Sequence, residues 1–180
     1  KGKNVLPFGK KSSPVLGVDI SATAVKLVEL GRSGGRYRVE SYAAEPVPPN
    51  SVADKNITDA AAVGEAIGRA VSVLKTLVTL ARNKGFERIA AVATSAVREA
   101  KNGGDFVDLV EEQTGIKIRV ISGIEEARLI FLGVRHSMAL SEKHTLVVDV
   151  GGGSVELIVG TRDGLQHAKS LKLGAIRLSD

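Results

Sequence analysis

The sequence predicts an α/β protein of two lobes, because one unit of strand, Asp, tight turn and strand occurs twice. The first copy is "GVDISATAVKLVEL", residues 17–30, and the second is "VVDVGGGSVELIVG", residues 147–160. In each copy an apolar strand ends in an Asp, a short turn follows and another strand begins. Such internal similarity indicates two lobes of related topology.

The first lobe is predicted over residues 15–140 in the order β-β-β-α-β-α-β-α. Its first three strands are separated by turns and show the alternation of half-buried strands. A helix of roughly 26 residues follows, with Thr58 as a possible cap and a stop at Gly85. The strands are expected at 15–20, 24–30, 37–45, 88–94 and 116–121, and the shorter helices at 105–115, capped by Asp105, and within 122–140.

The second lobe is predicted to be incomplete over residues 145–180. Three strands, "TLVVDV", "SVELIVG" and "LQHAKSLKL", are followed by "GAIRLSD" where a helix should start. Without a helix behind it, this meander leaves one apolar face uncovered, with Val147, Leu157 and Val159 among the candidates. We therefore expect either self-association through these strands, as a homodimer or a domain swap, or poor order of residues 145–173. In both cases any catalysis should be weak or absent, because a cleft between the lobes needs both lobes.

Composition narrows the possible settings and partners. The net charge of +5 comes largely from four lysines of a predicted basic, flexible tail at residues 1–14. The lack of cysteine excludes disulfides, thiolate zinc sites and thiol nucleophiles, and it is compatible with a reducing cytoplasm. Aromatic residues make up 3% of the chain and Trp is absent, so stacking on nucleic acid bases is not expected. No apolar run suggests membrane insertion, and no export signal is seen.

The repeated turn has a chemical interpretation. Glycines permit positive-φ conformations in which backbone N–H groups converge on an anion. A carboxylate at the adjacent strand end can hold Mg²⁺, or a water that bridges to phosphate. Two such turns facing each other would clamp a phosphate between Asp19 and Asp149. A plain glycine-rich hairpin is the alternative, and the pairing of the two turns favours the phosphate clamp.

Four stretches resemble the Ppx/GppA family of exopolyphosphatases and guanosine pentaphosphate phosphohydrolases. They are "ATSAVREAKNGGDF", "VISGIEEARLIFLGV", "VVDVGGGSVELIVG" and "SLKLGAIRL", in that order over about residues 72–180. The resemblance implies a ribonuclease H-like fold of the actin, Hsp70 and sugar-kinase superfamily. It also implies Mg²⁺ dependence and hydrolysis of the terminal phosphoanhydride of polyphosphate or of a guanosine or adenosine polyphosphate such as pppGpp.

The resemblance also implies roles for individual residues. Glu126 corresponds to the catalytic base, Glu156 belongs to the acidic site for cation and water, and Asp19 and Asp149 occupy metal positions. The implied phosphate-binding residues are Ser95, Arg98, Gly151, Gly152, Gly153 and Ser154. Ser21 and Thr23, the hydroxyl residues of the first Asp-containing turn, are further candidates for phosphate binding.

Other roles remain open for several of these residues. Arg98 could pair with Glu99 or Asp105 instead of phosphate. The hydroxyls of Ser21 and Thr23 could only close their own turn. Glu126 could be a solvated helix residue, although the first turn of a helix favours an ionised carboxylate.

The first third of the chain departs from the Ppx/GppA pattern. "DISATAVKLVEL", "GRSGGRYRVESYAAEPVPPNSV" and "NITDAAAVGEAIGRAV" instead resemble PilM, the actin-like cytoplasmic component of type IV pilus assembly, over about residues 5–71. In the second turn, Val155 stands where the family usually has Thr. We therefore expect a chimera joined near Val71–Leu74. The alternative functions are a PilM-like nucleotide-binding adaptor with a pilus-assembly peptide partner, or a chimera without activity.

Overall fold

The computed structural model describes residues 15–21, 24–33, 36–46, 60–83, 86 and 88–179. The predicted basic tail at 1–14, the proposed cap Thr58 and the turn residue Thr23 lie outside these ranges. The elements follow the predicted order, with one short helix added after the fourth strand.

The first sheet has five strands in the order β3-β2-β1-β4-β5. β1, β2 and β3 pair antiparallel, whereas β1, β4 and β5 pair parallel. The parallel pairs are joined through helices, as parallel strands require. The strands are β1 (Val15–Ile20), β2 (Ala24–Ser33), β3 (Arg36–Pro46), β4 (Arg88–Ala93) and β5 (Ile118–Val120).

The predicted helix stripe forms the core against this sheet. In α1 (Ala60–Asn83), Val71, Leu74 and Val78 are buried among the apolar side chains of the sheet. They recur every three or four residues, so they lie on one face of the helix. The stripe thus anchors α1 to the strands that end in the first turn.

The helices after β4 differ from the sequence-based expectation in two places, one that was not predicted and one whose predicted cap was wrong. Residues 95–99, "SAVRE", form a short helix α2 (Ser95–Glu99) that the sequence did not indicate. α3 (Gly103–Thr114) begins two residues before Asp105, and Asn102 is its N-cap residue. Asp105 therefore lies inside the first turn. The predicted end is confirmed, because Gly115 has a φ of 70° in the left-handed region.

The second sheet is an antiparallel meander in the order β6-β7-β8. α4 (Gly123–Ser137) packs on one of its faces, where Phe131 and Ala127 bury Ile158. The expectation of a meander with no helix against it was therefore wrong. The remaining elements are β6 (Thr145–Val150), β7 (Val155–Thr161), β8 (Gly164–Leu171) and α5 (Ala175–Ser179).

The opposite face of the second sheet is the open one. Val147 packs against the α4 cluster, so its proposed place on the uncovered face was wrong. Leu146, Val148 and Val150 alternate with it along β6 and are each at least half exposed. No helix of the described residues is both long and apolar enough to cross a membrane.

Candidate functional site

Both Asp-containing turns line a single cleft of about 190 Å³ between the two sheets. The first turn reaches it from the end of β1 and the second from the end of β6, as a clamp built from two facing turns requires. The residues that line it are Asp19, Ser21, Lys26, Thr94, Ser95, Glu126, Asp149, Val150, Gly151, Gly152, Gly153 and Ser154.

The two turns have equivalent backbones. Two residues after Asp19, the N–H of Ser21 donates to the carbonyl of Ala24 at 3.0 Å. Two residues after Asp149, the N–H of Gly151 donates to the carbonyl of Ser154 at 2.9 Å. The internal repeat seen in the sequence is therefore also a repeat of hydrogen bonding.

The residue facing each Asp across its hairpin differs between the lobes. In the first hairpin Asp19 pairs in register with Lys26, and in the second Asp149 pairs with Glu156. Directly paired residues share one face of a sheet. Asp19, Lys26 and Asp149 line the cleft, whereas Glu156 is buried beside Asp149.

α5 holds the second turn from behind. The N–H groups of Ala175 and Ile176 donate to the carbonyls of Gly151 and Gly152 at 2.9 and 3.0 Å. In a planar trans peptide the N–H points opposite to the C=O. The N–H groups of Gly152 and Gly153 therefore point away from α5, which supports an anion nest in the cleft.

The glycines at the second turn allow neighbouring segments to approach it closely, and they do not adopt the positive φ that we expected. Neither Gly151 nor Gly153 has a φ in the left-handed region. A Cβ on Gly153 would lie 2.6 Å from the Ser95 hydroxyl oxygen, and a Cβ on Gly174 would collide with the backbone of Gly152. Small residues are thus required where the turn meets α2 and the segment before α5.

Asp19 and Asp149 interact across the cleft. Burial raises the pKa of Asp19, Lys26 partly offsets that rise, and the charge of Asp149 adds to it. The Lys26 ammonium lies 3.6 Å from an Asp19 carboxylate oxygen. Within the described ranges, no three His, Cys, Asp or Glu side chains are grouped as a metal site. Mg²⁺, however, is commonly held by one or two carboxylates together with substrate phosphates.

Glu126 lines the cleft and is partly desolvated. Burial raises the pKa of Glu126, and the neighbouring Glu156 carboxylate raises it further, while Arg98 opposes both effects. Arg98 places one guanidinium nitrogen 3.1 Å from Glu126 Oε2 and 2.7 Å from the carbonyl of Ile121. The partner of Arg98 is therefore Glu126, rather than Glu99 or Asp105, and Arg98 does not itself line the cleft.

Glu156 is fully buried on β7. The hydroxyl of Ser170 donates to its Oε1 at 2.7 Å. Its Oε2 has no hydrogen-bond partner among the described residues. A buried carboxylate oxygen without a partner is costly, and such exceptions are found where a water or ion completes the site.

Lys26, Thr94 and Ser170 belong to this site and were missed from the sequence. Lys26 alternates with apolar residues along β2, and only the hairpin register shows that it faces Asp19. Ser170 begins the stretch "SLKLGAIRL". Its contact with Glu156, however, follows from the pairing of β7 with β8. The Ser21 hydroxyl donates to the carbonyl of Ala24. This is the local hydrogen bond expected as the alternative to phosphate binding by Ser21.

Comparisons with known proteins find similarity to one phosphatase family. The model of the Ppx/GppA phosphatase family matches residues 51–180, and so begins earlier than the motifs at about 72. Exopolyphosphatase 1 of Mycobacterium leprae is 40% identical over 114 residues, which cover 63% of this chain and 34% of that protein. Exopolyphosphatase 1 of Mycobacterium tuberculosis is 38% identical over 109 residues, covering 61% of this chain and 32% of that protein.

Solved structures extend the similarity over most of the chain. An exopolyphosphatase from Cytophaga hutchinsonii is 28% identical with a TM-score of 0.82, covering 93% of this chain and 53% of the other. A Ppx/GppA family member from Aquifex aeolicus is 26% identical with a TM-score of 0.77 and the same coverage. A PilM–PilN type IV pilus biogenesis complex is 18% identical with a TM-score of 0.57, and the alignment covers 94% of this chain and 64% of the other. This similarity concerns the fold alone.

The chain spans about a third of the length of the curated relatives it matches and just over half of these solved phosphatase structures.

Proposed function

Because the chain belongs to the Ppx/GppA phosphatase family, we propose that it contributes the catalytic cleft of a phosphohydrolase acting on polyphosphate or pppGpp. The observation that carries this proposal is the meeting of both Asp-containing turns with Glu126 in one cleft. The reaction adds water across the terminal phosphoanhydride, so that orthophosphate leaves and the remaining chain is one phosphate shorter.

The terminal phosphate is held by the second turn and by Lys26. The amides of Gly152 and Gly153 point away from α5, and Lys26 is the basic side chain lining the cleft. Ser95 lies beside Gly153 and adds a hydroxyl from the first lobe. Oriented backbone dipoles and a fixed cation stabilise the charge that develops on phosphate oxygens in the transition state.

Glu126 is the general base. Its desolvation and the nearby Glu156 charge favour proton uptake, so the carboxylate can accept a proton from water as that water attacks phosphorus. Arg98 fixes the orientation of the Glu126 carboxylate. Glu156, whose Oε2 has no hydrogen-bond partner among the described residues, lies close enough for its charge to raise the pKa of Glu126.

The residues present fit Mg²⁺. Asp19 and Asp149 supply two carboxylates whose charges interact across the cleft, and hard oxygen ligands suit this ion. We propose that these two carboxylates hold it. Bound there, the ion would supply neutralisation of the phosphate charge.

The finer expectations about partners and origin stay predictions. A PilM-like parent for residues 5–71, a chimera joined near Val71–Leu74 and a pilus-assembly peptide partner have fold similarity alone in their favour. A homodimer is supported by the open face of β6, and a cytoplasmic location by the absence of cysteine. The alternative function is a non-catalytic adaptor, and the phosphate-release experiment below distinguishes it from a phosphohydrolase.

The decisive experiment is phosphate release from polyphosphate and from pppGpp, with Mg²⁺ present, by the parent chain and by Glu126→Gln. Loss of the general base should lower turnover about 10²–10⁴-fold, with substrate affinity nearly unchanged. Glu125→Gln is a matched control, since Glu125 pairs with Arg128 at the exposed side of α4. Equal turnover of Glu126→Gln and the parent chain would contradict the assignment of Glu126, and binding of substrate without turnover by the parent chain would favour an adaptor.

A further inference from the structure

Arg177 connects the second turn to the first lobe. Its Nε donates to the carbonyl of Gly153 at 2.8 Å, and its Nη2 lies 2.6 Å from Glu99 Oε2. The side chains of Arg177 and Glu99 are only 21% and 18% exposed, so this pair is more strongly held than a surface ion pair. The Arg177 guanidinium therefore binds the second turn and α2 at the same time.

The Gly153 carbonyl differs from its two neighbours in how it is held. The carbonyls of Gly151 and Gly152 accept from backbone N–H groups, which no substitution of a side chain removes. The Gly153 carbonyl accepts from a side chain. Because this carbonyl and the N–H of Ser154 belong to one planar peptide, the bond from Arg177 also sets the direction of the Ser154 N–H.

α2, which Arg177 binds through Glu99, also contacts the phosphate turn and the proposed base. Ser95, at its start, lies against Gly153, and Arg98 holds Glu126. Glu99, next along α2, binds Arg177. A shift of α2 would therefore be transmitted to both the phosphate turn and the proposed base.

We propose that Arg177 is a positioning residue, which aligns the Ser154 amide for phosphate and locks the second turn to α2 through Glu99. This inference rests on the proposed function. Arg177 does not line the cleft, and its bonds go to Gly153 and Glu99, so it acts through the turn. Its planar fork can bind two acceptors at once, which an ammonium group does less well.

The test compares Arg177→Ala and Arg177→Lys with the parent chain by calorimetric titration with inorganic tripolyphosphate. Amide resonances of Gly152, Gly153 and Ser154 are followed by NMR in the same titrations. We expect Arg177→Ala to weaken affinity about tenfold and to reduce the shift of the Ser154 amide on binding. Arg177→Lys should restore part of both.

Lys172→Ala is the matched control. Lys172 binds the same Glu99 oxygen at 3.1 Å, but its side chain is 73% exposed and makes no bond to the turn. Its removal should leave tripolyphosphate affinity and the Ser154 shift unchanged. A loss equal to that of Arg177→Ala would overturn the proposal, because general charge rather than the grip on Gly153 would then explain the effect.

The two possible failures are distinguishable. A parent chain that binds no tripolyphosphate overturns the proposed function and this inference with it. A parent chain that binds, together with a folded Arg177→Ala that binds equally well, overturns only the positioning role. If Arg177→Ala does not fold, Glu99→Gln replaces it in the test.

Glu99→Gln removes the charge of the Arg177 partner and leaves the bond from Arg177 to Gly153. This variant should weaken tripolyphosphate binding about threefold. Unchanged binding with an unchanged Ser154 shift would overturn the positioning role of Arg177.

Discussion

At the residue scale, the surroundings of each carboxylate decide what it can do. Glu125 and Glu126 are adjacent in sequence, yet Glu125 pairs with Arg128 and has a lowered pKa, whereas Glu126 has a raised one. Ser122 explains the difference in position, because its hydroxyl caps the N–H of Glu125 and so fixes the start of α4. The capping spacing was readable from the sequence. The contact of Glu126 with Arg98 was not, because it joins residues 28 positions apart.

The raised pKa of Glu126 predicts the acidic limb of the rate profile. Only the ionised carboxylate can accept a proton from water, so kcat should rise as pH increases through this raised pKa and then level off. Steady-state phosphate release from pH 4 to pH 8 measures this limb, with substrate affinity followed in parallel as the control. A kcat that is constant across the acidic range would contradict Glu126 as the base.

The same shift predicts how stability depends on pH. The folded state holds the Glu126 proton more tightly than the unfolded chain, where the pKa is about 4.3. The favourable contribution is therefore complete below about pH 4.3, and it is lost as pH rises through the raised folded value.

Glu126→Gln lacks this titration, so its free energy of unfolding, relative to the parent chain, should increase over that pH window. Urea unfolding at pH 4, 5.5 and 7 tests the trend. A difference between the two chains that is constant with pH would refute it.

At the element scale, strands were predicted more reliably than short helices. Strands such as β1 and β7 are mainly apolar runs of six or seven residues bounded by turn residues, which is a clear local signal. α2 has five residues, too few for a helical period, and it is held instead by its packing between β4 and α3. The role of the glycine turn also depended on neighbouring elements, because its carbonyls are held by α5.

Gly174→Ala tests the close approach of the segment before α5 to the turn. Its Cβ would collide with the backbone of Gly152, which cannot move aside as a flexible side chain would. We expect a loss of about 1–3 kcal/mol in the free energy of unfolding and weaker phosphate binding.

Gly133→Ala on α4 is the matched control, since nothing lies within 4 Å of its Cβ position. It should increase the free energy of unfolding by about 0.5–1 kcal/mol, as alanine does inside an exposed helix. Equal unfolding free energies for the two variants would show that the turn tolerates a Cβ.

At the scale of the whole molecule, the two lobes differ in how completely they are covered. The first sheet has a continuous core with α1 and α3. The second sheet is covered by α4 on one face, whereas Leu146, Val148 and Val150 are exposed on the other. β6 is also an edge strand among the described residues. An apolar edge of this kind favours pairing with another chain.

Val148→Lys therefore should reduce self-association. Light scattering at micromolar concentrations is expected to show a larger mass for the parent chain than for the variant, because a charge at the centre of the exposed edge opposes strand pairing. Met138→Lys is the control, since Met138 is similarly exposed but lies at the end of α4. A parent chain that stays monomeric would contradict the homodimer.

The sequence by itself determined the order of strands and helices along the chain, the repeated Asp-containing turn and the family motifs, because apolar runs, turn residues and capping spacings are local signals. Only the tertiary structure decided that Arg98 holds Glu126, that Ser170 bonds to Glu156 and that Lys26 faces Asp19. It also decided that the glycines are needed for close approach rather than for a positive φ. The physical reason is that the partners in these contacts are set by strand register and by the packing of α2, α4 and α5 around one cleft, which local sequence signals do not specify.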